Sequence, residues 1–257
     1  MHYRTRFARL LVVIALAASS GLVFAGPFDD CQEYVKLGVP GKDGDPLCRK
    51  GYALAHNPET KTPYWVAEHL TKKKASAVLK RSGTFKADPE LEVGFRAEKE
   101  DYQGYPYDTG HMAPSANMQW DKVAMTETFL YSNAAPQDSG MNRGIWSALE
   151  GKIRRWAKSR GELYIYTGPI YEGDPMTVIG TNQVGVPSHF FKVIYDPLNV
   201  EAIAFIMPNE KLVTAEMSSH IKSVREVEER TKLNFLSKLK KSVQDAVEMV
   251  KAEGLWE

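Results

Sequence analysis

Between positions 142 and 156 the chain carries Trp146, Leu149, Ile153 and Trp156 at three- and four-residue steps. That spacing is the period of an amphipathic helix with one buried stripe. Two tryptophans on one stripe need a broad apolar surface to pack against. The sequence supplies it just downstream, in strand-like runs at residues 163–167, 190–195 and 202–207, with an earlier one at 63–70. A short helix is expected at 121–127, a strand or strand edge at 128–131, and helices at 217–230 and 236–252. Residues 83–107 are polar and irregular, and no internal repeat or low-complexity tract is present. Strands first joined by loops, then interleaved with helices, predict an α+β domain: a mostly antiparallel central sheet with flanking helices.

The first 25 residues have a different character. Arg4, Arg6 and Arg9 precede an apolar run at 10–18, and Val23-Phe24-Ala25 carries small or short apolar side chains where a signal peptidase would cut. Ser19, Ser20 and Gly21 interrupt the run, which favours a cleaved signal peptide over a membrane anchor. No later stretch is long and apolar enough to span a bilayer. The expectation is an exported protein, periplasmic or secreted, with no membrane attachment after cleavage and one domain over 26–257. Cys31 and Cys48 are the only cysteines. In an oxidising compartment such a pair reads as one disulfide closing a Gly/Pro-rich loop over 26–50, a segment with little core of its own.

Charge narrows the functional classes. The whole chain is +1, and removing the three leader arginines leaves 30 basic against 32 acidic residues, a net charge of −2. A tight nucleic-acid binder is usually strongly basic. A catalyst that must release its product tolerates a locally basic site on a neutral body, because phosphate contacts set residence.

Two stretches carry chemistry. In Tyr107-Asp108-Thr109-Gly110-His111-Met112-Ala113-Pro114, a histidine between a glycine and a nearby proline suits a turn that presents its imidazole. Neutral imidazole accepts a proton from water near neutral pH. Asp108 could brace the turn or the ring. A single histidine is more often structural, and His56, His69, His189 and His220 take that reading. The second stretch runs from Ser132-Asn133-Ala134-Ala135-Pro136-Gln137 to Asn142, Arg143, Glu150 and Arg154. Asn142 could be only a helix N-cap, and Glu150 with Arg154 only an i,i+4 surface pair. On a regular helix, eight residues make about 2.2 turns, so Asn142 and Glu150 would share one polar edge opposite the apolar stripe.

Taken in order, Asp-x-Gly-His-x-Ala-Pro, Ser-Asn-x-x-Pro-Gln and Asn-x-Gly-x-Trp-x-x-Leu-Glu with Arg154 four residues on resemble the DNA/RNA non-specific endonucleases, the ββα-metal or His-Me finger group. Residues 65–70, 167–171, 187–193 and the segment from Val224 to Thr231 are also similar to family blocks, so the resemblance covers about residues 50 to 236. It implies a ββα-metal motif and a sugar-non-specific endonuclease leaving 5′-phosphates. It implies His111 as general base and Asn142 as the direct ligand of one Mg²⁺, with Mn²⁺ as a substitute. Glu150 would hold that ion's waters, Asn133 would orient His111 or the attacking water, and Arg154 would brace Glu150 or touch phosphate. Arg81, Arg143 and Asp108 are assigned to the phosphate-binding shell. DNA and RNA are the expected substrates, and the resemblance leaves room for a homodimer or an inhibitor protein. One position departs: Thr109 stands where the family usually has arginine, losing a bidentate fork for phosphate. That departure motivates the alternative of a catalytically impaired nucleic-acid-binding envelope protein of the same fold. Tyr102, Tyr105 and Tyr107 are candidates for base stacking.

Overall fold

A strand buried on both faces reads as nearly continuous apolar sequence, and the runs at 163–167, 190–195 and 202–207 have that character. The computed structural model of the chain describes residues 26–41 and 43–257. The expected leader over 1–25 lies outside the described residues. In chain order the strands are β1 (Asp45–Cys48), β2 (Tyr52–Asn57), β3 (Thr62–Thr71), β4 (Tyr107–His111), β5 (Ala134–Asp138), β6 (Glu162–Ile170), β7 (Val178–Ile179), β8 (Val184–Gly185), β9 (His189–Asp196), β10 (Glu201–Pro208) and β11 (Ile221–Lys222). The α-helices are α1 (Lys72–Ala75), α2 (Lys122–Glu127), α3 (Ser139–Met141), α4 (Ser147–Arg160), α5 (Val224–Thr231) and α6 (Lys241–Met249).

Seven strands form one sheet in the order β1-β2-β3-β6-β9-β10-β11, with every neighbouring pair antiparallel. Alternation sorts its side chains into two layers. Val66, Leu70, Leu163, Ile165, Phe190 and Ile194 enter the front layer with the α4 stripe, where Trp146, Leu149, Ile153 and Trp156 are all buried. Burial of each such side chain stabilises by about 1.5–3 kcal/mol. Trp65, Ala67, Tyr164, Tyr166, Phe191 and Val193 enter the back layer, covered by Val224 and Val227 of α5, by Phe235 and by Val247 of α6. Helix α4 ends where Gly161 turns to φ +100° and its N–H reaches the Ala157 carbonyl, a conformation that favours glycine.

Several expectations change. Residues 26–50 are not coreless: Phe28, Tyr34, Val35 and Leu37 pack into the back layer, and β1 extends the sheet. Residues 128–131 form a turn with an isolated bridge between Lys86 and Leu130, followed by a 3-10 turn (Tyr131–Asn133), because among the described residues Lys86 alone supplies their pairing partner. The helix expected at 217–230 is broken. A 3-10 segment (Thr214–His220) and β11 come first, and α5 starts after Ser223, which exchanges hydrogen bonds with Glu226 in a capping box. The last helix is shorter than 236–252. Cys31 and Cys48 are bonded, with Cα atoms 5.5 Å apart and a sequence separation of 17. Closing such a loop stabilises by about 3 kcal/mol on chain-entropy grounds. Replacing both cysteines by alanine should lower the urea-unfolding free energy by about that amount. An unchanged unfolding midpoint would show that back-layer packing alone holds the N-terminal segment.

Candidate active site

Strands β4 and β5 pair antiparallel, with Asp108 opposite Gln137 and His111 opposite Ala134, and residues 112–133 connect them. Strand β5 runs directly into helix. Asp138 is the N-cap, its Oδ1 accepting from the Met141 N–H at 2.9 Å. Asn142 is therefore inside the helix and not its cap. From Asn142 to Trp146 the helix widens into a π-type turn, and Gly144 leaves helical geometry at φ −97°, ψ −109°. The regular count of 2.2 turns to Glu150 does not apply across this widening. Such bulges re-aim a side chain and concentrate at functional sites.

Here the widened turn sends Asn142 toward β4. Its Nδ2 donates to Asp108 Oδ2 at 2.9 Å, which turns the amide oxygen away from Asp108. Arg143 donates to the same carboxylate through Nε at 2.8 Å and Nη2 at 2.6 Å, while its side chain stays 75% exposed. Burial works against the Asp108 charge, but the hydrogen bonds from Arg143 and Asn142 prevail and hold its carboxyl below the usual range. The sequence resemblance places Asp108 in the phosphate-binding shell. Its geometry instead makes it an ionised acceptor that orients Asn142 and Arg143, since a carboxylate repels phosphate. Thr109 lies between Asp108 and Gly110, opposite Pro136.

His111 ends β4 in an aromatic setting. Its ring lies 4.6 Å from Phe85 and 4.9 Å from Phe129 between centroids, and the stack continues from Phe85 through Tyr131 to Tyr102. Tyr102 is thus spent on packing and is not free to stack on a base. Asp88 anchors this loop through Arg49 and Ser132. Nε2 of His111 is buried, with no hydrogen-bond partner among the described residues. Burial, and then the nearby Arg81 charge, push the His111 pKa down to about 3. Arg81 sits beside it, donating to Ser115 Oγ at 3.2 Å with its guanidinium 5.2 Å from the Phe129 ring centroid.

Asn133 is fully buried. Its Oδ1 accepts from the Ala113 N–H, and its Nδ2 donates to the carbonyls of Ala113 and Thr128, each at 2.9 Å. Among the described residues its side-chain bonds all go to backbone, so it fixes the loop after His111 and does not bond the ring. Glu150 and Arg154 lie on α4. Burial raises the Glu150 pKa against the pull of Lys192 and Arg154. Arg154 donates to Asn117 Oδ1 at 3.2 Å. Sequence reasoning passed over Glu68, Asn117 and Lys192, all at least 98% buried beneath this site. The signal was a lone charge inside each of two apolar strands, in Ala67-Glu68-His69 and Phe191-Lys192-Val193.

Among the described residues no group of three or more His, Cys, Asp or Glu side chains converges as a metal cage. The donor set present, one amide oxygen with a carboxylate further along the helix, fits a hard cation that keeps most of its waters.

A pair of antiparallel strands whose second member feeds a helix, with histidine on the first strand and asparagine on the helix, defines the class of ββα nucleases. The DNA/RNA non-specific endonuclease model matches residues 32–242, and the chain belongs to that family. As such it is a hydrolase, an endonuclease without sequence specificity. It is 34% identical to a nuclease of Syncephalastrum racemosum over 82% of this chain and 73% of that one. It is also 35% identical to mitochondrial endonuclease G of Homo sapiens over 69% of this chain and 64% of that one. A solved structure of an EndoG/EndoGI complex superposes with a TM-score of 0.77 at 31% identity, covering 82% of this chain and 92% of that one.

The His111 environment has a consequence for stability. Its folded pKa is depressed from 6.5 to about 3. Below pH 6.5 the unfolded chain takes up a proton that the folded one refuses, so stability present above 6.5 is lost as pH falls toward 3. A His111→Phe variant should lose less stability than the parent between pH 7 and pH 4 in denaturant titrations; equal losses would show that His111 is not desolvated in solution.

Proposed function

We propose that this chain is an exported, Mg²⁺-dependent nuclease that hydrolyses DNA and RNA backbones to 5′-phosphate products. The observation that carries the reading is the His111 imidazole, set against Phe85 and Phe129 at the end of the strand whose Asp108 turns the Asn142 amide. Nε2 of His111 is sealed, so Nδ1 is the nitrogen a water must meet, and Nε2 then carries the ring proton. Nδ1 accepts a proton as the water oxygen bonds to phosphorus and the bond to the 3′-oxygen breaks; the 3′-oxygen takes up a proton from water. A low pKa keeps His111 ready as an acceptor, and a bound phosphate anion raises its basicity by partly cancelling the Arg81 charge. Asn142 Oδ1 would hold the ion and Glu150 its waters, with Mn²⁺ as a substitute; when bound, the ion supplies neutralisation of charge on the phosphate and the leaving oxygen. Arg81 and Arg143 grip backbone phosphate, and phosphate contacts carry no sequence information, which suits both DNA and RNA as substrates.

Export is supported by the leader sequence and by the Cys31–Cys48 bond, which suits an oxidising compartment. Protein recovered outside the cytoplasm should begin at Gly26 on N-terminal sequencing; retention of Met1 there would overturn cleavage.

Supercoiled plasmid and structured RNA should both be cut with Mg²⁺ or Mn²⁺ and spared with chelator. His111→Ala and Asn142→Ala should each lower the cutting rate at least about a hundredfold, the usual scale for a general base. Undiminished digestion by either variant removes that residue from its assigned role, and a parent that cuts neither polymer sinks the nuclease reading.

A further inference from the structure

Glu68, Thr167 and Lys192 occupy the middle of the front face of the sheet, where the surrounding positions Val66, Leu70, Ile165, Phe190 and Ile194 are apolar. Lys192 is in register with Thr167 and donates to its Oγ1 at 2.8 Å. The same ammonium donates to the Met112 carbonyl at 3.4 Å, one residue past His111, and lies 4.8 Å from the centroid of the Trp146 ring. Glu68 Oε2 accepts from Asn117 Nδ2 at 2.9 Å, and Asn117 Oδ1 accepts from Arg154 at 3.2 Å. Glu68 Oε1 is buried, with no partner among the described residues.

Stability does not explain these charges. Removing an ion from water is expensive, and apolar replacements of buried ion groups are often neutral or stabilising. Burial raises the Glu68 carboxyl to about 7 against the pull of Lys192 and the Asn117 hydrogen bond, and it lowers the Lys192 ammonium. Both side chains are at most 2% exposed, so neither can meet a nucleic acid. What they do meet is the two halves of the site: the peptide after His111, and through Asn117 the Arg154 guanidinium.

We propose that Glu68 and Lys192 are positioning residues for hydrolysis: Glu68 sets Arg154 through Asn117, and Lys192 holds the peptide following His111, so that active-site strand and helix are indexed to one sheet. This rests on the nuclease reading above. The β3–β6–β9 register then adds a second link between the two halves, beside the Asp108 bonds to Asn142 and Arg143.

The test uses the full mature protein, a short labelled duplex and a plasmid-nicking assay. Glu68→Leu should lower kcat by about tenfold or more with KM within about threefold, the signature of a lost transition-state contact and not of lost binding. Glu68→Gln keeps an oxygen acceptor for Asn117 and should stay within about threefold of the parent in both constants. In an Arg154→Ala background, scored by nicking, Glu68→Leu should cost less than about threefold further, because the two act as one unit. Lys192→Met should also lose kcat. If it fails to fold, Thr167→Val, which removes only the hydroxyl that Lys192 bonds, carries that arm with a smaller loss in kcat. Folded Glu68→Leu with parental kcat, or losses that add fully to Arg154→Ala, would overturn the Glu68 assignment, and folded Thr167→Val with parental kcat that of Lys192. A parent that cuts nothing fails the nuclease reading instead, and is recognised by failing without any substitution.

Discussion

One carboxylate ties the active-site strand to the active-site helix. Asp108 takes three N–H donors from two consecutive residues, Asn142 and Arg143, and an ionised carboxylate has the acceptor capacity to do so. Its strand ends three residues later at His111, about 10 Å along an extended chain. The helix is least regular at this point, where the turn from Asn142 to Trp146 is wide and Gly144 departs from helical geometry. An unsupported wide turn would leave the Asn142 amide free to rotate. The Asp108 bond removes that freedom and decides which amide atom faces away.

The two faces of the sheet divide the work. The back layer is aromatic-rich and stapled, with the Cys31–Cys48 bond holding the N-terminal segment against it. The front layer buries charge on the strands themselves, whereas on the back side the buried carboxylates Glu228 and Glu248 lie on the covering helices. Lys192 and Glu68 would each cost several kcal/mol if left alone in that interior. The Trp146 ring beside Lys192, the Thr167 hydroxyl and the Asn117 amide offset part of that cost. The tryptophan that anchors the helix by apolar burial therefore also faces the buried cation.

Much of the fold was legible because it rests on periodicity. The α4 stripe and strands β3, β6, β9 and β10 follow from spacing and apolar runs, and α2 from its local pattern. What was hidden depended on partners remote in sequence. Strand β1 sits in a Gly/Pro-rich segment and is specified by pairing with β2 more than by its own four residues. Residues 128–131 have strand-like composition, but among the described residues their one strand-type pairing is with Lys86. The break before α5 was readable in Ser223 and Glu226, a capping box that marks a helix start wherever the upstream pattern points. At the site, the motifs single out His111, Asn142, Glu150 and Arg154. They could not show that Asn133 spends its amide on Ala113 and Thr128, since that requires the path of the 112–133 connection. Nor could they show that Glu68 and Lys192 point to the front, because a strand's two faces are told apart only by what packs on each.

Thr109 sharpens the question of phosphate recognition. A threonine there removes a guanidinium from β4, and the helix supplies one from the other side of Asp108. Arg143 commits two N–H groups to that carboxylate. A guanidinium has five, so three remain for a ligand without breaking the bond that orients Asn142. Lysine could not do both, being a single point charge without a rigid fork. In the proposed mechanism the phosphate grip and the orientation of the ion's ligand are therefore one structure, and the loss of arginine at 109 places more of the grip on a residue whose position Asp108 already controls.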